Sequence, residues 1–296
     1  MRNLRTNCYR NGNALVAICD DGSKYRYTPD GQIPTPEFPE SIDLKITGFC
    51  EKNCPMCHES AGPYGRHGNL NHPLLDSIPA YAELAIGGGD PMAHPDLYDF
   101  LQRMKMQKVI CNITVHYNQF RKSCGTLRRW QIEGLIHGVG VSVNRPLQET
   151  TDLEVFAHLV VHTIAGVADP ETYRNLADKN LNLLILGYKN FGRGTRYHEQ
   201  NENVERKIRW VEDHITDLPE HFRSICFDDL AIGQLDLKNK ISSAAWKQFY
   251  MGRDGRFTMY VDLVKSEYSA SSVTARKTIF SDEIRDLFTS LQNNQS

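Results

Sequence analysis

The chain lacks an excess of either charge. Its 296 residues carry 34 Lys and Arg against 36 Asp and Glu, a formal net of -2. Nothing in that balance draws it to a nucleic-acid backbone or an anionic bilayer. No apolar run reaches the roughly 18 residues that span a membrane. Residues 1–7, followed by Cys8-Tyr9-Arg10, lack the apolar core of a secretory signal, so a cytoplasmic location is expected. Internal repeats and low-complexity tracts are missing. Apolar residues make up 40% and charged residues 24%, which excludes disorder, collagen and long coiled coil.

Cysteine is present in an informative way. Of eight cysteines, Cys8, Cys19, Cys111, Cys124 and Cys226 are scattered, and each reads first as a small buried apolar side chain. Cys50, Cys54 and Cys57 are compressed into eight residues. In a reducing compartment such clustering points to metal or catalysis rather than disulfides.

Around this cluster the chain alternates. Residues 13–28 read as a β-hairpin turning at Asp21-Gly22, and Pro29, Pro34, Pro36 and Pro39 make the following linker non-helical. Strands are expected at 42–47, 83–86, 109–115, 138–143, 159–165 and 181–186. Helices are expected at 74–81, 95–106, 120–134, 152–156, 170–178 and 202–215. Several strands are short apolar runs, as in a parallel sheet buried on both faces. Six β/α units predict an α/β fold, a partial barrel or open parallel sheet, with the site at the carboxyl ends of the strands. Past Pro219 the alternation fades: 224–227 and 257–264 are candidate strands and 282–291 a closing helix.

The cluster, Cys50-Glu-Lys-Asn-Cys54-Pro-Met-Cys57-His58, follows the first of these strands. Three metal readings fit it. Cys54-x-x-Cys57-His58 matches a c-type haem attachment site, which requires export. Three thiolates with His58 make a Cys₃His zinc set, although consecutive side chains point apart. Third, soft sulfurs at C-x₃-C-x₂-C spacing wrap three corners of a [4Fe–4S] cube and leave one iron open.

With its location, this spacing resembles the radical S-adenosylmethionine (radical SAM) superfamily, over about residues 41–190. The resemblance implies a partial (β/α)6 TIM-like barrel at 41–217, an N-terminal β-hairpin and linker at 1–40, and a C-terminal α+β extension at 218–296 closing the barrel and substrate site. It implies a [4Fe–4S] cluster held by Cys50, Cys54 and Cys57. S-adenosyl-L-methionine would chelate the open iron and be cleaved to a 5′-deoxyadenosyl radical. A flavodoxin- or ferredoxin-type electron donor is implied as partner.

Four segments carry the likeness beyond the cysteines. Gly87-Gly88-Gly89-Asp90-Pro91 stands where the family has Gly-Gly-Glu-Pro; Gly88, Gly89 and Asp90 are implied at the methionine ammonium, with Asp one methylene short of Glu. The same residues also read as a glycine turn capped by Asp90. Ser142 and Asn144 share one strand face and are implied at the ribose or carboxylate, Asn144 alternatively starting the turn before Pro146. His162-Thr-Ile164-Ala-Gly166-Val-Ala-Asp169 partly matches Gly-x-Ile-x-Gly-x-x-Glu, implying Ile164 and Gly166 at adenine. Asp169 reads equally as the N-cap of the helix starting at Pro170. Gly187 and Tyr188 are implied at adenine through their backbone, and Met56 replaces a commonly aromatic neighbour.

The substrate is less legible. After residue 190 only Cys226 remains, so no auxiliary clusters are expected, and a 40-residue amino-terminal piece is too small for a cobalamin domain. Residues 59–70 read as a lid. Cys226 reads as a hydrogen-atom donor or a structural thiol. The expected substrate is a peptide, which the hairpin's free edge can accept, or a small molecule or nucleotide. A non-catalytic iron–sulfur or zinc module is the alternative.

Overall fold

The structure, a computed structural model, is described over residues 6–19, 22–29 and 31–293. It contains a small antiparallel meander and a large mixed sheet. In the meander, β1 (Thr6–Asn11), β2 (Ala14–Cys19) and β3 (Lys24–Tyr27) pair in that order. The expected hairpin is β2–β3, with Leu15 opposite Tyr27. Of its turn pair, Gly22 takes a φ of +85° and Asp21 lies outside the described residues. β1 was not read from the sequence because Thr6–Asn11 is polar and mostly exposed. Its pairing with β2 makes it a strand, not its own pattern.

The meander is tied to the foot of the large sheet by charge. Arg26 donates two hydrogen bonds to Glu40, at 2.9 and 2.7 Å. Lys24 pairs with Glu83 at 2.5 Å and lies 3.6 Å from Glu40. Glu40 is 1% exposed, so its charge depends on these partners.

In the large sheet, β4 (Ser41–Thr47), β5 (Glu83–Gly88), β6 (Ile110–His116), β7 (Gly138–Ser142), β8 (Leu159–Ile164), β9 (Asn182–Leu186) and β10 (Ser224–Phe227) lie side by side in sequence order, all parallel. β11 (Thr258–Asp262) joins the other flank of β4 in parallel, and β12 (Glu267–Ser269) and β13 (Lys277–Thr278) continue antiparallel. Residues 41–227 therefore hold seven parallel strands where six units were expected. The candidate strands at 224–227 and 257–264 both belong to this sheet.

Helices Leu97–Met106, Tyr117–Ile132, Thr151–Glu154, Pro170–Leu176 and Asn203–His214 occupy expected places, and Ile284–Gln292 closes the described chain. The expected helix at 74–81 is only a 3₁₀ turn, Pro73–Ser77, because the residue before Pro79 is driven out of the helical region. Helices Arg193–Glu199, Asp229–Gln234, Leu237–Lys240 and Ser243–Phe249 were not read, being too short to display a 3.6-residue period. Among the described residues no helix is long and apolar enough to cross a membrane.

The strands are two-faced rather than apolar on both sides. Ile42, Leu44 and Ile46 of β4 are buried in one core with Phe100 and Leu101 of the first long helix and Phe120 and Leu127 of the next. By period two, Asp43, Lys45 and Thr47 occupy the opposite face. β6 does the same, burying Cys111, Ile113 and Val115 and presenting Asn112, Thr114 and His116. The sheet thus carries a polar inner face lined from several strands.

Glu40→Ala is expected to lower the unfolding free energy by about 3–5 kcal/mol, the range for breaking a buried ion pair from one side. Urea denaturation measures it, and a loss below about 1 kcal/mol would make the meander's ionic tether incidental.

Candidate active site

β4 runs directly into the cysteine loop. Beyond its end the chain folds back on itself: Gly48 N–H donates to Arg66 (2.8 Å), Gly62 N–H to Gly48 (3.0 Å), Cys50 N–H to Gly62 (2.9 Å) and Gly68 N–H to Ile46 (2.8 Å). The 59–70 segment, read as a lid, is therefore fastened along the strand's extension, with Tyr64 at its exposed tip (98%).

The glycine-rich end of β5 packs on the same stem. Gly89 N–H donates to Thr47 (2.8 Å) and Asp90 N–H to Phe49 (2.7 Å). Gly88 has a φ of +109°, and a Cβ on Gly89 would sit 2.0 Å from the Phe49 carbonyl oxygen. Close backbone approach is thus the local reason for these glycines. Asp90 caps the turn Pro91–Ala93 by accepting from Met92 N–H (3.2 Å). Burial raises its carboxyl pKa, and Glu51 adds to that against the Met92 bond.

Arg193, which sequence reasoning missed, clamps the loop from the other side. Its Nε donates to the Cys54 carbonyl (2.9 Å), its Nη2 to that of Ala61 (2.6 Å), and its own N–H to that of Cys57 (3.1 Å). An Arg five residues past Tyr188 gives no motif signal, since its targets are main-chain carbonyls far away in sequence.

A buried ionic network anchors the loop's far end. Lys45 Nζ lies 2.7 Å from Glu59 and 3.0 Å from Asp262. Tyr260 OH donates to Glu59 (2.8 Å), Arg276 stacks 3.8 Å above the Tyr260 ring, and His58 Nε2 lies 3.3 Å from Glu59. Burial alone would raise the Glu59 carboxyl, but His58 and Lys45 outweigh it and hold it far below the carboxylate range. Burial pulls Lys45 down, yet Glu59 and Asp262 more than offset that. The sequence signal was the polar alternation Asp43, Lys45, Thr47 within β4.

The three cysteines are half-buried and free of disulfides. Burial raises the Cys54 thiol first, and the Cys50 and Cys57 sulfurs raise it further. Among the described residues no three Cys, His, Asp or Glu side chains converge as a single metal ion requires. Three thiols on one short loop are a soft-sulfur donor set of the kind that iron–sulfur clusters take.

Beside the loop, Met56, His58, Ile164, Val167, Leu186, Gly187, Tyr188 and Lys189 line a small cleft. It brings together four of the expected cofactor residues, Met56, Ile164, Gly187 and Tyr188. The backbone at the last two is already engaged: Gly187 N–H donates to Asp228, and Gln234 takes both the N–H and carbonyl of Tyr188. Both amide N–H groups are thus committed within the protein. Gly166, at φ +84°, packs on Val204 and Ile208 and does not line the cleft. Asn144 Oδ1 accepts from Ile164 N–H (2.8 Å), joining the ends of β7 and β8. Asp169 makes no cap bond and pairs with Lys207 at 2.9 Å.

Register places a row across the inner face. His116 of β6 is in register with Ser142 of β7, Ser142 with His162, His162 with Leu184 of β9, and Leu184 with Cys226 of β10. Cys226 is an exposed residue of this edge strand, and the protein packed around one side of it raises its thiol pKa. A larger cavity of about 650 Å³ opens at the opposite end of the strands, between β2, Glu83 and His137. It is remote from the cysteines.

No family profile and no curated protein matches the sequence. Solved structures do. Streptococcus suis SuiB bound to the precursor peptide SuiA matches 86% of this chain at a TM-score of 0.58 and 13% identity. SuiB bound to S-adenosylmethionine matches 97% at 0.60 and 10% identity, covering 87% of that chain. This chain spans 65% of the peptide-bound SuiB chain. Identity this low shows a shared fold.

Lys45→Met strands two buried carboxylates and is expected to cost about 3–5 kcal/mol, read by urea denaturation, with faster iodoacetamide labelling of Cys57. Labelling and stability both unchanged would mean the network does not hold the loop.

Proposed function

We propose that this chain is a radical SAM enzyme acting on a peptide. The observation that carries the reading is a three-cysteine loop at the carboxyl end of the first parallel strand. Beside it lies a cleft lined by Met56, Ile164 and Tyr188, on a fold shared with a protein crystallised with S-adenosylmethionine. Cys50, Cys54 and Cys57 would hold a [4Fe–4S] cluster. When bound, that cluster and S-adenosylmethionine supply one-electron cleavage of the cofactor and a 5′-deoxyadenosyl radical.

The chain's own residues do the positioning. Arg193 and the Lys45–Glu59–Asp262 network hold the two ends of the cysteine loop still, so the sulfurs stay in place through electron transfer. Gly88 and Gly89 bring the β5 end onto the loop stem, leaving Asp90 beside Glu51 for the cofactor's ammonium. Ser142 and the remaining amide of Asn144 face the ribose and carboxylate. Ile164 and Met56 supply apolar and polarizable surface to adenine, with Gly166 giving the turn its room.

Residues 41–217 form the core in this reading, with 1–40 as the amino-terminal meander and linker. Residues 218–296 close the substrate chamber. The precursor peptide bound by SuiB favours a peptide substrate, and β1 and β3 each leave an edge unpaired among the described residues that an extended chain can join. Cys226, kept protonated and exposed, is the hydrogen-atom donor to a substrate radical. A flavodoxin- or ferredoxin-type protein supplies the electron.

Anaerobic cluster reconstitution, reduction with dithionite and chromatography for 5′-deoxyadenosine test this. The expected result is cleavage of S-adenosylmethionine by the native chain and none by Cys50→Ala, Cys54→Ala or Cys57→Ala. Cleavage that survives in those variants would overturn the ligand assignment.

A further inference from the structure

We propose that His162 is the proton acceptor of the substrate chamber, a neutral imidazole presented from the inner face of β8 to whatever group binds there. The inference rests on reading that chamber as the substrate site.

His162 lies one strand from Ser142 and one from Leu184 in the register row, so His116 and Cys226 stand two strands away on either side, about 10 Å at ordinary strand spacing. It is one inward step below Ile164, which lines the cofactor cleft. The ring leans over Gly140, where a Cβ would lie 2.4 Å from His162 Cε1 and 2.7 Å from Nε2. Gly140 is therefore a seat for the imidazole, and any larger residue there would displace it.

Structural histidines here use their nitrogens: His116 accepts from Asn118 N–H, His72 from Leu74 N–H, and His94 from Asp96 N–H while its Nε2 faces the Gly68 carbonyl. No hydrogen bond to a described residue engages His162. The charged group facing it is Lys189, which is held by a 2.8 Å bond to Ser272; β7 offers only Gly140 and Ser142 on this side, and β9 offers Leu184. Burial and then Lys189 lower its pKa to about 4, so the ring is neutral at neutral pH.

The step is acid–base. An N–H, O–H or acidic C–H bond of the bound group breaks, its electron pair stays on that atom, and the proton forms a new N–H bond on His162. The imidazolium, beside the Lys189 ammonium, then releases its proton to chamber water. No electron is gained or lost and no further reactant is needed.

Diethyl pyrocarbonate, which acylates only unprotonated accessible imidazole, tests the assignment in the full chain without cluster or cofactor. Failure here is thus distinct from failure of radical SAM activity. Peptide mapping of the modified protein, with His162→Gln to identify the site, should give a His162 rate constant that is flat from about pH 6 to 8, where an ordinary imidazole rises about fourfold. A fourfold rise at His162, or no modification while exposed His198 and His221 react, would overturn the proposal.

Discussion

The arrangement at the carboxyl end of the sheet depends on one buried interaction, the contact of Lys45 with Glu59 and Asp262. Its three members come from β4, from the loop just past the third cysteine and from β11. Strand and loop are adjacent in sequence, but β11 lies some 200 residues on, so the contact closes a long loop and couples the cysteine segment to the sheet's other flank. In a site this enclosed an unpaired charge is costly, and the cost confines the loop to one conformation. Arg193 does the corresponding task at the other end of the loop with hydrogen bonds to carbonyls rather than ion pairs.

The same logic explains why the inner face is polar. A closed barrel fills its interior with branched apolar side chains. This sheet has unpaired edges at β10 and β13 among the described residues, and its inner face carries Asp43, Lys45, Asn112, Thr114, His116, Ser142 and His162. Burying the apolar face of each strand beneath helices supplies the folding free energy, which frees the opposite face for chemistry. Asp43 illustrates the result: the protein around its carboxyl group, with Asp228 and Glu59 adding to it against Lys189, raises its pKa.

Legibility from sequence followed the range of the interactions. The parallel strands were readable because each has its own apolar run bounded by turn residues, and the seventh at Ser224–Phe227 was visible as a candidate for the same reason. β1 and the four short helices between Arg193 and Phe249 were not, since pairing and packing with distant segments decide them. Gly88 and Gly89 were noticed as cofactor-binding positions, and the structure adds that their lack of side chains is required by the Thr47–Phe49 backbone. The need for Gly140 is invisible in sequence, because it comes from the His162 ring of the neighbouring strand lying on it.

By itself the sequence determined the alternation of strands and helices, the three-thiol loop at the end of β4 and the absence of any stretch able to span a bilayer. These are properties of consecutive residues, governed by local periodicity, turn chemistry and spacing. Tertiary structure alone decided which strand faces meet, that Lys45, Glu59, Tyr260, Asp262 and Arg193 guard the loop, that the amides of Gly187 and Tyr188 are engaged within the protein, and that the His162 ring lies on Gly140. Each of those depends on a partner tens to hundreds of residues away, and burial, hydrogen bonding and charge pairing act through distance in space.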